Sequence, residues 1–153
     1  MRTFLAELVG TGFLAASIVG SGVMATNLTK DVGLQLLIVA VATVFMLATM
    51  IQMLGPISGA HFNPAVTLVD LINKKIDLKT AVNYVLTQVI GAVLGVITAN
   101  VMFDLPTIGS STAAKTSWNL LFSEVVATAG LILVIQIVGA QKNGRYIPLA
   151  VAG

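Results

Sequence analysis

Long apolar runs separated by short polar corners set the plan of this chain. Phe4 to Met24 is apolar apart from Glu7 and a few hydroxyls, and the cation Arg2 precedes it. Ala25 to Gly33 is polar enough for a loop. Leu34 to Leu54 carries no charge over about 21 residues, which matches the ~20 that a helix needs to cross a bilayer. Gly55-Pro56 is expected to stop it. Leu78 to Phe103 and Asn119 to Ala140 hold two further spans. A solvated corner, Asn73-Lys74-Lys75-Ile76-Asp77, precedes them, and a Thr-, Ser- and Gly-rich loop from Asp104 to Ser117 joins them. A second solvated corner, Gln141-Lys142-Asn143-Gly144-Arg145, leads to Tyr146–Gly153, which reads as the start of a fifth span. The pattern predicts helices near 4–24, 34–54, 65–73, 79–103 and 119–140.

The segment 55–73 is too short and too broken to cross by itself. Gly59 supplies a turn that other residues resist. Asn63 is a good N-cap, and Pro64 suits the first helical position, where its missing N–H costs nothing. Ala65, Val66, Leu68, Val69, Leu71 and Ile72 then continue as a short helix. The expectation is extended backbone leading into a half-helix whose positive end sits at Asn63. Irregular backbone survives at membrane depth only where protein buries it or it lines a water-filled cavity, so this segment is the candidate site.

Composition agrees with a polytopic membrane protein. The 153 residues are 57% hydrophobic and only 9% charged, against about 25% charged in soluble domains. The net charge is +2, with no basic run or interleaved aromatics, so no nucleic-acid partner is implied. There is no cysteine and a single histidine, His61, which argues against disulfides, thiol chemistry and a metal site. No catalytic constellation or cofactor-binding motif can be assembled, so an enzyme is not expected. A cleaved signal peptide ending near Val23-Met24-Ala25 competes for the first run. That run exceeds the usual core of about 7–15 residues and carries Glu7, so a retained anchor is preferred.

Charge orients the spans. With the N-terminus in the cytoplasm, Arg2, Lys74, Lys75, Lys79, Lys142 and Arg145 fall inside and only Lys30 and Lys115 outside, in accord with the positive-inside rule. An internal echo accompanies this alternation. Phe4-Leu5-Ala6-Glu7-Leu8-Val9-Gly10-Thr11 is similar to Leu121-Phe122-Ser123-Glu124-Val125-Val126-Ala127-Thr128. The two copies run in opposite directions across the membrane, as in inverted repeats whose functional site lies between the halves.

Ser58-Gly59-Ala60-His61-Phe62-Asn63-Pro64-Ala65-Val66-Thr67, set between two apolar spans, resembles the first Asn-Pro-Ala signature of the aquaporin and glycerol-facilitator (major intrinsic protein) family. The resemblance implies an all-α membrane fold, an aquaporin-like helical bundle with a re-entrant half-helix. It also implies a passive channel for water or small neutral solutes such as glycerol, in a cell membrane and as a homo-oligomer, a tetramer in the family. The family has six spans and two such loops. Here there are four spans, the start of a fifth and one loop, so residues 1–153 read as the N-terminal portion of one such domain. The alternative is a truncated subunit that assembles with other channel chains; residues 1–153 alone are expected to insert but not conduct.

The resemblance also assigns residues. Gly59, Ala60 and His61 would offer carbonyls to solutes, and Asn63, Pro64 and Ala65 would form the signature itself. Asn63 has both a donor and an acceptor, so its oxygen can cap the half-helix while its NH₂ meets a solute. Thr43, twenty residues before Asn63, stands where water-selective members carry a bulky group; a wider pore follows. Glu7 and Glu124, buried in apolar spans, are either proton relays or acceptors that brace re-entrant loops. The unpaired donors of irregular backbone favour bracing, the role the family resemblance implies, with Gln88 in a similar part. His61 reads as a pH-sensitive gate or, preferably, a polar fixture of the loop. Gly91 and Gly95 have the spacing of close helix packing.

Overall fold

The computed structural model describes residues 1–109, 117–140 and 147–152. Six helices follow one another: α1 (Arg2–Leu28), α2 (Val32–Ser58), α3 (Pro64–Ile72), α4 (Leu78–Met102), α5 (Trp118–Ala140) and α6 (Ile147–Ala152). The fold is all-α among the described residues. Four helices, α1, α2, α4 and α5, are long and apolar enough to cross a membrane. At 23–27 residues each they extend about 35–40 Å. In lipid the backbone must bond to itself, and a helix does so within one segment. The expected corner 141–145, residues 110–116 of the expected loop, and Tyr146 and Gly153 of the expected fifth span lie outside the described residues.

Two expected breaks are displaced. The loop placed at 25–33 shrinks to Thr29–Asp31, because α1 runs on to Leu28 and Asp31 caps α2 by accepting from Leu34 N–H at 2.8 Å. Nor does Gly55-Pro56 end α2: the helix continues to Ser58 with Pro56 inside it. A proline removes one hydrogen bond and crowds the carbonyl four residues back, but a membrane helix tolerates it, because neighbouring groups and local adjustments satisfy the freed carbonyl. The stop is Gly59, left-handed at φ 86°, whose N–H closes on Gly55 O at 2.9 Å. The re-entrant segment therefore begins at Gly59 rather than at residue 55.

The tightest packing is between α1 and α4. Gly91 and Gly95 are buried. A methyl group on Gly91 would overlap the Leu8 carbonyl, and one on Gly95 the Gly12 carbonyl, so the two backbones touch where side chains would stand. Met50, Ile51 and Phe62 form a small apolar cluster where α2 meets the segment after Gly59, and Ile147 and Val151 of α6 pack onto it. Elsewhere the helices present apolar side chains outward, among them Leu36, Phe45, Val93 and Phe122. In α5 no residue is buried. Outward apolar faces of this extent suit a bilayer, not water.

Candidate functional site

The candidate site is the turn Gly59–Asn63 and the half-helix α3 that follows. Asn63 is extended (φ −149°) and caps α3: its Oδ1 accepts from Ala65 N–H at 2.8 Å, with Pro64 in the first turn. At nine residues α3 reaches only about 14 Å, less than half a bilayer core. The turn itself differs from the extended path expected. Ala60 and Phe62 lie at φ 53° and 48°, the left-handed region that L side chains avoid. Such conformations cost about 1–3 kcal/mol each and persist only where surroundings enforce them.

The enforcing group is Glu7, fully buried on α1. Its Oε1 accepts from Ser58 Oγ at 2.6 Å and from His61 N–H at 3.0 Å. Its Oε2 accepts from Phe62 N–H at 2.8 Å and from Gln88 Nε2 at 2.8 Å. Left-handed residues on either side of His61 turn two successive N–H groups toward one carboxylate. Four donors, two of them from the strained backbone, compensate the cost of burying a charge. Ser58 Oγ also accepts from Ala60 N–H at 3.1 Å. Phe62 fits because Gly10 is bare: a methyl there would collide with its ring.

Gln88 extends the network, its Nε2 also donating to Thr67 Oγ1 at 3.0 Å. Glu7 takes only donors, which fixes the amide's orientation and leaves Gln88 Oε1 buried without a partner among the described residues. Thr67 Oγ1 lies 3.1 Å from His61 Nδ1 and 3.1 Å from Asn63 O. Tyr84 sits edge-on to the His61 ring at 5.2 Å and donates to Ser58 O at 2.8 Å. On its far side His61 Nε2 is 3.4 Å from Asp70 Oδ2. Asp70 in turn meets Lys75 Nζ at 3.2 Å and Gln136 Nε2 of α5 at 3.3 Å.

Gly59, Ala60, His61, Asn63, Pro64 and Ala65 thus form one continuous turn, packed against Glu7 and Gln88. Thr43 is elsewhere: it lies 15 residues before the end of α2, about 22 Å along the axis, with its hydroxyl bonded to Val39 O at 2.7 Å. Glu124 is exposed on α5 and outside the network. Sequence reasoning passed over Asp70, although an acid among the apolar residues of a membrane segment is itself a signal. It placed Lys75 in a solvated corner, where the structure has it half exposed and bonded to Asp70 and to Gln136 Oε1. Gly10 carried no signal beyond its glycine, since the ring it accommodates arrives from 52 residues away.

Comparison with known proteins adds the decisive observation. The model of the family described as "Major intrinsic protein" matches residues 1–152. This chain belongs to the major intrinsic protein family. It is 41% identical over 147 residues to Aquaglyceroporin AqpS of Rhizobium meliloti, covering 96% of this chain and 63% of that protein. It is 31% identical over 158 residues to Glycerol uptake facilitator protein-like 6 of Lactiplantibacillus plantarum, covering 95% of this chain and 67% of that protein. It is 38% identical over 94 residues to Lens fiber major intrinsic protein of Lithobates pipiens, covering 61% of this chain and 34% of that protein. The chain thus spans at most about two thirds of the length of these relatives. Major intrinsic proteins are channels, not enzymes, and with four apolar helices this one is a multi-pass membrane protein.

Proposed function

We propose that this protein is a passive transmembrane channel for water and small neutral solutes such as glycerol, with residues 1–153 supplying the signature loop and one half-helix. The observation that carries the proposal is a row of uncommitted acceptors. The N–H groups of Ala60, His61 and Phe62 are all taken by Ser58 and Glu7, whereas the carbonyls of Gly59, Ala60 and His61 accept nothing among the described residues. The Asn63 Nδ2 donor is uncommitted as well, since its Oδ1 is spent on the cap. In a membrane-spanning channel an unpaired carbonyl would cost about 1–3 kcal/mol, so three carbonyls in sequence call for a mobile partner. Water or a polyol passing in single file supplies one, trading hydration contacts for carbonyls step by step. The positive end of α3 points at Asn63 and repels protons and cations.

Two relatives carry aquaglyceroporin and glycerol uptake facilitator in their names, which supports glycerol as a solute. Thr43 in place of a bulky group agrees with a wide entrance. The same reading places the N-terminus in the cytoplasm of a cell-membrane homo-oligomer, a tetramer by family pattern. The test is osmotic response of liposomes holding the full-length protein. Water and glycerol should enter faster than into empty liposomes, and Asn63→Asp should abolish the difference. Permeability equal to that of empty liposomes, with the protein folded and inserted, would sink the proposal.

A further inference from the structure

We propose that Asp70 is a positioning residue for the signature loop: its carboxylate keeps the proton of His61 on Nε2 and so fixes the ring beside the carbonyl row. The inference rests on the channel reading above. It begins from a feature that reading does not use, a partly buried acid of the half-helix joined to an exposed lysine. Asp70 Oδ1 receives Lys75 Nζ at 3.2 Å and Gln136 Nε2 at 3.3 Å, while Oδ2 faces His61 Nε2 at 3.4 Å. The Asp70 side chain is 17% exposed and that of His61 only 7%, so the carboxylate is the nearest acceptor to Nε2.

Hydrogen bookkeeping fixes the ring. A lone pair on Nε2 would confront the carboxylate, so Nε2 carries the hydrogen. The lone pair of the neutral ring is then on Nδ1, which must accept, and the donor 3.1 Å away is the Thr67 hydroxyl. Thr67 has one hydrogen to give. Once it goes to the ring, Asn63 O keeps only Thr67 N–H, at 3.1 Å. With the proton on Nδ1 instead, the ring would donate to Thr67, the hydroxyl would turn to Asn63 O, and Nε2 would oppose Asp70. Asp70 selects between these two arrangements, and the tautomer of a histidine is set by what its other nitrogen meets. Gln136 belongs to α5, which meets the described bundle only at α3 and α6. The knot therefore also ties the placement of α5 to the loop.

His61 is the single histidine, so its ring signals need no assignment. The experiment is ¹⁵N-histidine NMR of the full-length protein in lipid, at about pH 8, above the ordinary imidazole range. The expected result is a protonated Nε2. Asp70→Glu keeps both acceptor oxygens for Lys75, Gln136 and His61 and should preserve that state. Asp70→Leu should produce a second population protonated on Nδ1, lowering the Nε2-to-Nδ1 ratio about fivefold, as loss of one net hydrogen bond predicts. Glycerol permeability should fall with Leu and be retained with Glu. An Nδ1-protonated ring in the unmutated protein, or an unchanged ratio in Asp70→Leu, would overturn the inference, and the unmutated measurement does not depend on any variant folding. Because the NMR reads the ring without transport, failure of the channel reading shows separately, as a protein that holds Nε2–H but passes no solute.

Discussion

Glu7 and Glu124 occupy matching places in two similar stretches, and their surroundings are opposite. Glu7 is fully buried and accepts four hydrogen bonds; Glu124 is exposed, on a helix with no buried residue. The helix around each offers the same thing, an apolar face with a carboxylate and small residues one turn on. What differs is the arrival of a third element. Around Glu7, bare glycines let α4 approach within backbone contact and the Phe62 ring of the turn after α2 seat beside Gly10, and the donors of both then find the acid. Around Glu124, among the described residues, no turn of that kind is present. A carboxylate in an apolar span is therefore a socket, and its role is decided by the backbone that enters it.

Substitution of the two acids should separate them most. Glu7→Leu leaves four donors unpaired, a loss of about 4 kcal/mol or more, so the protein should fail to give a monodisperse peak in detergent chromatography. Glu124→Leu should lie within about 0.5 kcal/mol of the unmutated chain 1–153 by thermal unfolding. Equal damage from the two would erase the distinction between them. Glycines offer the next largest contrast. Gly95→Val forces α1 from α4 and should cost about 3 kcal/mol. Gly130→Ala on α5, where nothing lies within 4 Å, should be neutral or stabilise by up to about 1 kcal/mol.

Smaller effects sharpen the picture. Glu7→Gln keeps one acceptor oxygen and turns the other into a donor facing donors, so about 2 kcal/mol should be lost while the loop stays assembled. Unfolding midpoints rank it between Glu7→Leu and the parent chain; loss of transport equal to that of Leu, with assembly intact, would make Glu7 a relay. A third acid, Asp77, is fully exposed and caps α4, accepting from Thr80 N–H at 2.8 Å. Hydrogen bonds from the Thr80 side chain and backbone hold its carboxyl below the usual aspartate range. Its stabilising contribution is thus present above the ordinary aspartate pKa and fades as pH falls through the lowered value. Asp77→Ala should lower the melting temperature slightly at neutral pH and not at all in strong acid.

Much of this arrangement is legible in the chain because the responsible forces are local. An apolar run of bilayer length is a helix, and Asn63-Pro64 carries its own cap and its own first turn. Gly55-Pro56 misleads because a membrane helix tolerates a proline that would end a soluble one. The left-handed Ala60 and Phe62 leave no mark in residue type; Glu7 imposes them from 53 and 55 residues away. Asp70 and Lys75 are local neighbours, but Gln136, which completes their knot, joins them only in three dimensions.

The orientation of one amide has an electrical consequence. Glu7, Gln88, Thr67, His61 and Asp70 form an unbroken line of contacts that ends at half-exposed Lys75. Such a line resembles a wire along which a charge could hop by successive bond exchange. Hopping requires each link to take a hydrogen on one side and release one on the other. Gln88 faces both neighbours with the same nitrogen, giving a hydrogen to Glu7 and another to Thr67, and an amide nitrogen has no lone pair with which to take one back. Its only basic atom, Oε1, touches no polar partner among the described residues. The line is therefore broken at its centre: Gln88 cannot carry a proton between Glu7 and the His61–Asp70 end.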